Sequence, residues 1–138
     1  GLLQLNHVSE PIARRRTIDG LYRSLLRDIP GIACYPESVG VKRNYAYFPV
    51  LVQPDYPRTR DELYFFLREH GYHGRRYFYP LISAMPMYRG LASSVADNLP
   101  VAQRVAEQVI CLPIQPALKE DDLAAIAVLI SDFGNTAR

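Results

Sequence analysis

From Glu10 to Pro30, apolar residues fall at Ile18, Leu21, Tyr22, Leu25, Leu26 and Ile29, the spacing of one helix face. Arg14, Arg15, Arg16, Arg23 and Arg27 lie between them and are assigned to the wet face. Pro11 suits a first helical turn, where its missing N–H leaves no bond unmade. Pro30-Gly31 stops the helix. Ile32 to Tyr35 reads as a short strand, and Asn44 to Val52, rich in Tyr, Phe and Val, as a stronger one. Pro49 inside the second run predicts an edge position or a bulge. Thr59-Arg60-Asp61-Glu62 has the form of a capping box, opening a helix with Leu63, Phe66 and Leu67 inward and Gly71 at its end. Tyr72 to Tyr79 reads as a further strand, closed by Pro80. Residues 83–98 are expected to loop with some helical turn. Leu99 to Gln108 is predicted helical with Val101, Ala102, Val105 and Ala106 inward, and Val109 to Ile114 is a buried strand. The last helix, Glu120 to Phe133, carries Glu120, Asp121 and Asp122 at the positive end of its dipole. Gly134 is expected to stop it and the tail to Arg138 to be loose.

The predicted order is helix, two strands, helix, strand, helix, strand, helix. That order implies an α+β domain: a small, mainly antiparallel sheet with helices packed on one face. No internal repeat, low-complexity segment or Pro/Gly/Ser linker divides the chain.

With 138 residues, 49% of them hydrophobic, the chain can form one domain with a real core. The net charge is only +2, small for a dedicated nucleic-acid binder. Cys34 and Cys111 form no Cys-x-x-Cys pair, so they read as small core residues in a reducing compartment. No run of apolar residues is long enough to span a bilayer, and no secretory signal opens the sequence. A cytoplasmic location is therefore expected. The chain starts at Gly1 and its first methionine is Met85, so other sequence is expected upstream: a tag remnant, a processing site or a missing domain.

Candidate chemistry is sparse. His70 and His73 have a metal-like spacing, but Gly71 breaks the helix between them and no Cys or carboxylate completes a set; they read as polar loop residues. No metal site is expected. Arg75-Arg76-Tyr77-Phe78-Tyr79 sets basic and aromatic residues together, as RNA-stacking sheets do, and Asn44-Tyr45-Ala46-Tyr47-Phe48 offers a second aromatic run. The plainer reading is that alternate aromatics face a core or a domain interface. Neither cysteine has a positioned base, and no serine sits in a Gly-x-Ser-x-Gly elbow. There is no Gly-rich phosphate loop. Lys42 and Lys119, the two lysines, lack the buried setting that would make either a Schiff-base nucleophile.

In order along the chain stand the Arg-rich stretch Ile12 to Leu26, Asn44-Tyr45-x-Tyr47-Phe48-Pro49, Arg60-Asp61-Glu62-Leu63, Leu67-Arg68-Glu69-x-Gly71, Tyr79-Pro80-Leu81, Pro86-Met87-Tyr88 and Leu112-Pro113-Ile114-x-Pro116-x-Leu118. Together, from Ile12 to Leu129, they resemble the pyridoxal-phosphate aminotransferases of the DegT/DnrJ/EryC1/StrS type, which act on nucleotide-linked keto sugars. Many members carry His where this chain has Ile82; the variant here looks like the branch that aminates C4 of dTDP-4-keto-6-deoxyglucose for O-antigen and antibiotic sugars.

The resemblance implies a two-domain, fold-type-I subunit working as a homodimer. The large N-terminal domain would hold pyridoxal phosphate, the catalytic lysine and the aspartate facing the pyridinium nitrogen. This chain matches only the small C-terminal domain, with residues 1–30 as the connecting helix from the missing large domain and 31–138 as the small domain. Pyridoxal phosphate is not expected on this chain alone, which should be inactive and should expose apolar surface. The implied reaction passes an amino group from glutamate to a keto sugar nucleotide. Arg75 and Arg76 are candidates for the diphosphate, because guanidinium forks match phosphate oxygens. Tyr77 and Tyr79 are candidates to stack on or hydrogen-bond the sugar or base. Surface and interface packing explain the same four residues equally well. A free-standing RNA- or sugar-nucleotide-binding module, or a non-catalytic regulator, remains open as an alternative; membrane and nucleic-acid partners are not expected on the main reading.

Overall fold

The computed structural model describes residues 2–37 and 39–136; of the tail expected to be loose, Asn135 and Thr136 continue and cap the last helix, and 137–138 lie outside the described residues. A short helical turn, Leu2–Leu5 (α1), precedes the long helix Ser9–Leu26 (α2). Helix α2 buries Ile18, Tyr22 and Leu26, as the spacing predicts, but ends before Pro30. Turn bonds from the Ile29 and Ile32 amides to the Leu26 and Ile29 carbonyls carry the chain on to the sheet. The arginines of α2 are less wet than expected. Arg14 donates to the Leu118 carbonyl at 2.7 Å, Arg15 to that of Asn44 at 3.1 Å, and Arg23 to that of Tyr35 at 2.9 Å. They fasten three loops to the helix.

The sheet holds Ile32–Cys34 (β1), Phe48–Val52 (β2) and Val109–Leu112 (β3), in the order β1-β2-β3, with both pairings antiparallel. In β2 Phe48, Val50 and Val52 are buried while Pro49 and Leu51 are half-buried, the alternation of a strand with one face on the core. Helices α2, Arg60–Glu69 (α3) and Glu120–Asn135 (α5) meet that face. Their Ile18, Tyr22, Leu26, Leu63, Leu67, Leu123, Ile126 and Ile130 close one core with Ile110 and Leu112 of β3. The α+β arrangement is thus present with three helices on that face, while the helix Pro100–Gln108 contacts β2 with its buried Ala106 outside this core.

Helix α3 has the expected capping box: the Thr59 hydroxyl accepts from the Glu62 amide, and the Thr59 amide donates to Glu62 Oε2 at 2.7 Å. Gly71, at φ 85°, turns the chain out of it. Helix α5 runs through Gly134 rather than stopping there. That glycine is needed for space: a Cβ on it would lie 3.0 Å from the Tyr56 ring.

Pro49 lies in the central strand, not at an edge. Cys111, its partner in β3, spends both backbone groups on Arg75: Arg75 N–H donates to its carbonyl (2.9 Å) and Cys111 N–H to that of Arg75 (2.7 Å). In an antiparallel ladder both groups of a residue point the same way. Pro49 therefore stands in a non-hydrogen-bonded pair with Cys111, and its missing N–H faces the side where β1 has already ended at Cys34.

Two predicted strand segments are absent. Asn44 to Tyr47 is not strand: Asn44 Oδ1 accepts from the Ala46 amide at 3.1 Å and Tyr45 takes φ 52°. The side chain captures the backbone that a ladder would have used. Tyr72 to Tyr79 forms one isolated bridge, Arg75 to Cys111, then a turn closed by the Tyr79 amide on the Arg76 carbonyl at 3.0 Å. Residues 82–98 form three short 3-10 turns. Helix Pro100–Gln108 (α4) buries Ala106, but Val101 is 61% exposed and Val105 is exposed too, against the expected inward face. Leu112 rather than Ile114 ends β3.

Candidate functional site

After α3 the chain doubles back along β3. Gly74 makes this close approach workable, since a Cβ there would lie 3.2 Å from the Cys111 carbonyl. The two-way bridge at Arg75 fixes the backbone, and neighbouring side chains then diverge to opposite sides. The four residues singled out from the sequence consequently fall into two groups.

Arg75 and Tyr77 line a cleft of about 390 Å³ together with Arg15, Tyr47, His73 and Gln115. The Arg75 guanidinium donates to the Tyr77 hydroxyl and lies over that ring, 5.6 Å from its centroid. Tyr77 meets Tyr47 edge to face at 5.1 Å. Arg15, bonded to the Asn44 carbonyl, holds the loop that carries Tyr47. The lining contains two arginines and a histidine and no carboxylate, so the cleft offers a positive field beside two aromatic rings. Such a lining suits an anion attached to a planar or sugar ring.

Arg76 and Tyr79 turn toward α3. Arg76 donates to Asp61 Oδ1 at 3.0 Å and lies over the Tyr64 ring at 4.6 Å. The same carboxylate oxygen accepts from Arg60 Nε at 2.7 Å. Tyr79 has two guanidiniums against its ring, Arg60 at 4.9 Å and Arg76 at 5.3 Å from its centroid. Burial alone would push the Asp61 carboxyl up, but hydrogen bonds and charge from Arg76 and Arg60 outweigh it and hold it below the usual carboxylate range. A depressed folded value stabilises the fold above the unfolded pKa, near 3.9 for aspartate, and that contribution is lost as pH falls through the folded value. Asp61→Asn should therefore flatten the acid limb of a stability–pH curve below about pH 4 while leaving its neutral shape unchanged. Identical acid limbs in urea titrations of the two proteins would show that the network carries no linkage.

The remaining candidates are accounted for within the chain. His70 caps α3 through Nδ1 and the Phe66 carbonyl at 2.8 Å, while His73 is in the cleft. Among the described residues no group of three or more His, Cys, Asp or Glu side chains converges on a metal position. Burial pushes the Cys34 and Cys111 thiols up, the reverse of an activated nucleophile. The aromatic strand pair required for RNA stacking is not formed, because neither aromatic run is strand where its tyrosines lie. Ile82 opens the first 3-10 turn and is exposed. The sequence does not mark Arg15, Tyr47, His73, Arg60 or Asp61 as site residues. The signals they do give are the aromatic run around Tyr47, the spacing of His70 and His73, and the Arg60-Asp61-Glu62-Leu63 stretch of the family resemblance.

Residues 1–131 match the DegT/DnrJ/EryC1/StrS aminotransferase family. The chain belongs to that family. Over 130 residues, 94% of the chain, it is 46% identical to a dTDP-4-amino-4,6-dideoxy-D-glucose transaminase of Escherichia coli, covering 35% of that protein. A transaminase of the same name from Shigella dysenteriae is 38% identical over 96% of the chain and 36% of its own length. Among solved structures, DesI, crystallised in the presence of its TDP-sugar product, superposes with a TM-score of 0.90 at 29% identity, over 100% of this chain and 35% of DesI. The chain thus spans about a third of the length of the curated relatives it matches.

Family membership brings pyridoxal phosphate into question, and neither lysine of this chain fits its Schiff-base linkage. Lys42 and Lys119, the only lysines, are both exposed, one in the shallow groove beside Arg43 and the other just before α5. Neither has the enclosed, desolvated setting in which a lysine amine becomes a nucleophile. Among the described residues, neither lysine of this DegT/DnrJ/EryC1/StrS chain stands where it would carry the cofactor as a Schiff base.

Proposed function

We propose that this chain is the small C-terminal domain of a pyridoxal-phosphate-dependent aminotransferase that moves an amino group from glutamate to a nucleotide-linked 4-keto-6-deoxy sugar, on the way to O-antigen or antibiotic sugars. The observation that carries the reading is the 46% identity to a dTDP-4-amino-4,6-dideoxy-D-glucose transaminase across nearly the whole chain. In this reading residues 1–30 connect from a large domain that holds the cofactor and its lysine, 31–138 form the small domain, and two such subunits pair in the cytoplasm. Helix α2 packs on α5 and β1, so the connecting helix is anchored in the core that it leads into.

The domain's part is to wall the substrate cleft. Arg75 meets diphosphate charge and Tyr77 and Tyr47 flank the attached ring, supported by the carboxylate-free lining around them. Arg76 and Tyr79 present a second face beside α3 to the same substrate. Lining a cleft is a binding task, so its loss is expected in KM rather than in the chemistry. In the complete enzyme Arg75→Ala should raise KM for the sugar nucleotide about tenfold, the scale of one hydrogen bond to a charged group. Arg76→Ala should also raise it, by less, since Asp61 already neutralises part of its charge. Steady-state kinetics with an unchanged KM would strike either residue from the site.

The 138-residue chain by itself should give no product from glutamate and a keto sugar nucleotide, with or without added pyridoxal phosphate. Turnover by the purified chain, followed by amine formation, would overturn the assignment of the chemistry to a separate domain.

A further inference from the structure

We propose that Arg60 is a positioning residue that holds Tyr79 and Arg76 in place as one face toward the sugar nucleotide, an inference that rests on the substrate reading above. Arg60 is 4% exposed, in the first turn of α3. Its guanidinium is used in three directions. Nε donates to Asp61 Oδ1 at 2.7 Å, Nη1 donates to the Val109 carbonyl at 2.8 Å, and the guanidinium carbon lies 4.9 Å from the centre of the Tyr79 ring. These contacts tie the start of α3, the start of β3 and the turn before Pro80 to one rigid planar group.

The arrangement is poor as a simple stabiliser. A buried guanidinium is expensive to desolvate, and its one carboxylate partner is shared with a second arginine. An apolar side chain of similar volume would hold α3 against β3 without that penalty. What the apolar side chain lacks is orientation. Asp61 bridges Arg60 to Arg76, and the two guanidiniums lie against the Tyr79 ring at 4.9 and 5.3 Å. Tyr79 is itself 49% exposed, so part of it is gripped while the rest is offered outward. The backbone does little to fix the segment at this point: after the bridge at Arg75, residues 76–79 are closed by a single turn bond. Lysine retains the charge but cannot donate in two fixed directions while stacking on a ring.

The test uses the complete enzyme. Arg60→Lys, Arg60→Met, Tyr79→Ala and the Arg60→Lys/Tyr79→Ala pair are compared for sugar-nucleotide KM, for the rate of the glutamate half-reaction, and for Tm. The expected result is a roughly tenfold higher KM for Arg60→Lys with the glutamate half-reaction unchanged, and no further rise when Tyr79→Ala is added, because the two act as a unit. A raised KM in Tyr79→Ala with a normal KM in Arg60→Lys overturns the positioning role and leaves the substrate reading standing. Normal KM values in Tyr79→Ala, Arg75→Ala and Arg76→Ala overturn the substrate reading and the positioning role together. A fall in the half-reaction that tracks Tm across the Arg60 variants shows a purely structural residue and also overturns it. Should Arg60→Met not fold, Arg60→Lys decides.

Discussion

Gly31→Ala is expected to destabilise the fold by about 2–5 kcal/mol, from a left-handed backbone that alanine resists and from overpacking. Gly31 has φ +74°, and a Cβ on it would overlap the backbone N and Cα of Tyr56. The colliding atoms are main chain and cannot rotate away. They are also held in place: the Gln53 amide donates to the Gly31 carbonyl at 2.8 Å, the Tyr56 amide to that of Gln53 at 3.0 Å, and the Tyr56 hydroxyl to the Ile130 carbonyl at 2.6 Å. Relieving the clash means moving the Tyr56 turn away from α5. Gly40→Ala is the control, because Gly40 has φ +77° with nothing within 4 Å, so it bears the backbone penalty alone. Denaturant unfolding should separate the two variants clearly against a total stability of roughly 5–15 kcal/mol. Equal losses for Gly31→Ala and Gly40→Ala would mean that the clash is absorbed.

Phe48→Ala is the second large effect, about 3–5 kcal/mol for the lost burial and the cavity left behind. Phe48 is fully buried at the start of β2, stacked on Tyr22 of α2 with centroids 4.9 Å apart and with the Arg23 guanidinium 5.7 Å from its ring. It joins the central strand to the longest helix. Tyr22 cannot shift into the gap without releasing its hydroxyl from the Pro113 carbonyl, now 3.0 Å away, so the void should persist. Phe48→Leu should cost clearly less because most of the volume is kept. Val128→Ala, at an exposed position of α5, should be nearly neutral. Thermal unfolding that ranks Phe48→Ala with Val128→Ala would contradict this core.

The candidate site was only half legible in the chain. Arg75, Arg76, Tyr77 and Tyr79 drew notice because basic and aromatic residues cluster there, and strand-like alternation does send Arg75 and Arg76 to different sides. The partners of these residues come from far along the sequence. Arg15 reaches the cleft from α2, and Asp61 and Arg60 reach Arg76 and Tyr79 from the first turn of α3. The Arg60-Asp61 pair read locally as part of a capping box, which it is, and nothing in the periodicity marks a residue that also binds across 49 positions to Val109.

By itself the sequence determined the elements whose signals are local. The 3.6-residue spacing of α2, the Thr59–Glu62 capping box and the acidic first turn of α5 are written within a few residues, and the structure keeps all three. Tertiary structure decided where local preference was divided. Pro49 could stand in the central strand because Cys111 bonds to Arg75 and β1 ends early, facts that involve three distant segments. Asn44 to Tyr47 and Arg76 to Tyr79 both carry strand-forming aromatic side chains. Yet an Asx turn took the first segment, and the grip of Arg60 and Asp61 on Arg76 and Tyr79 accompanies the turn in the second. A strand needs a partner backbone, and which backbone is within reach is a property of the folded chain rather than of any window of its sequence.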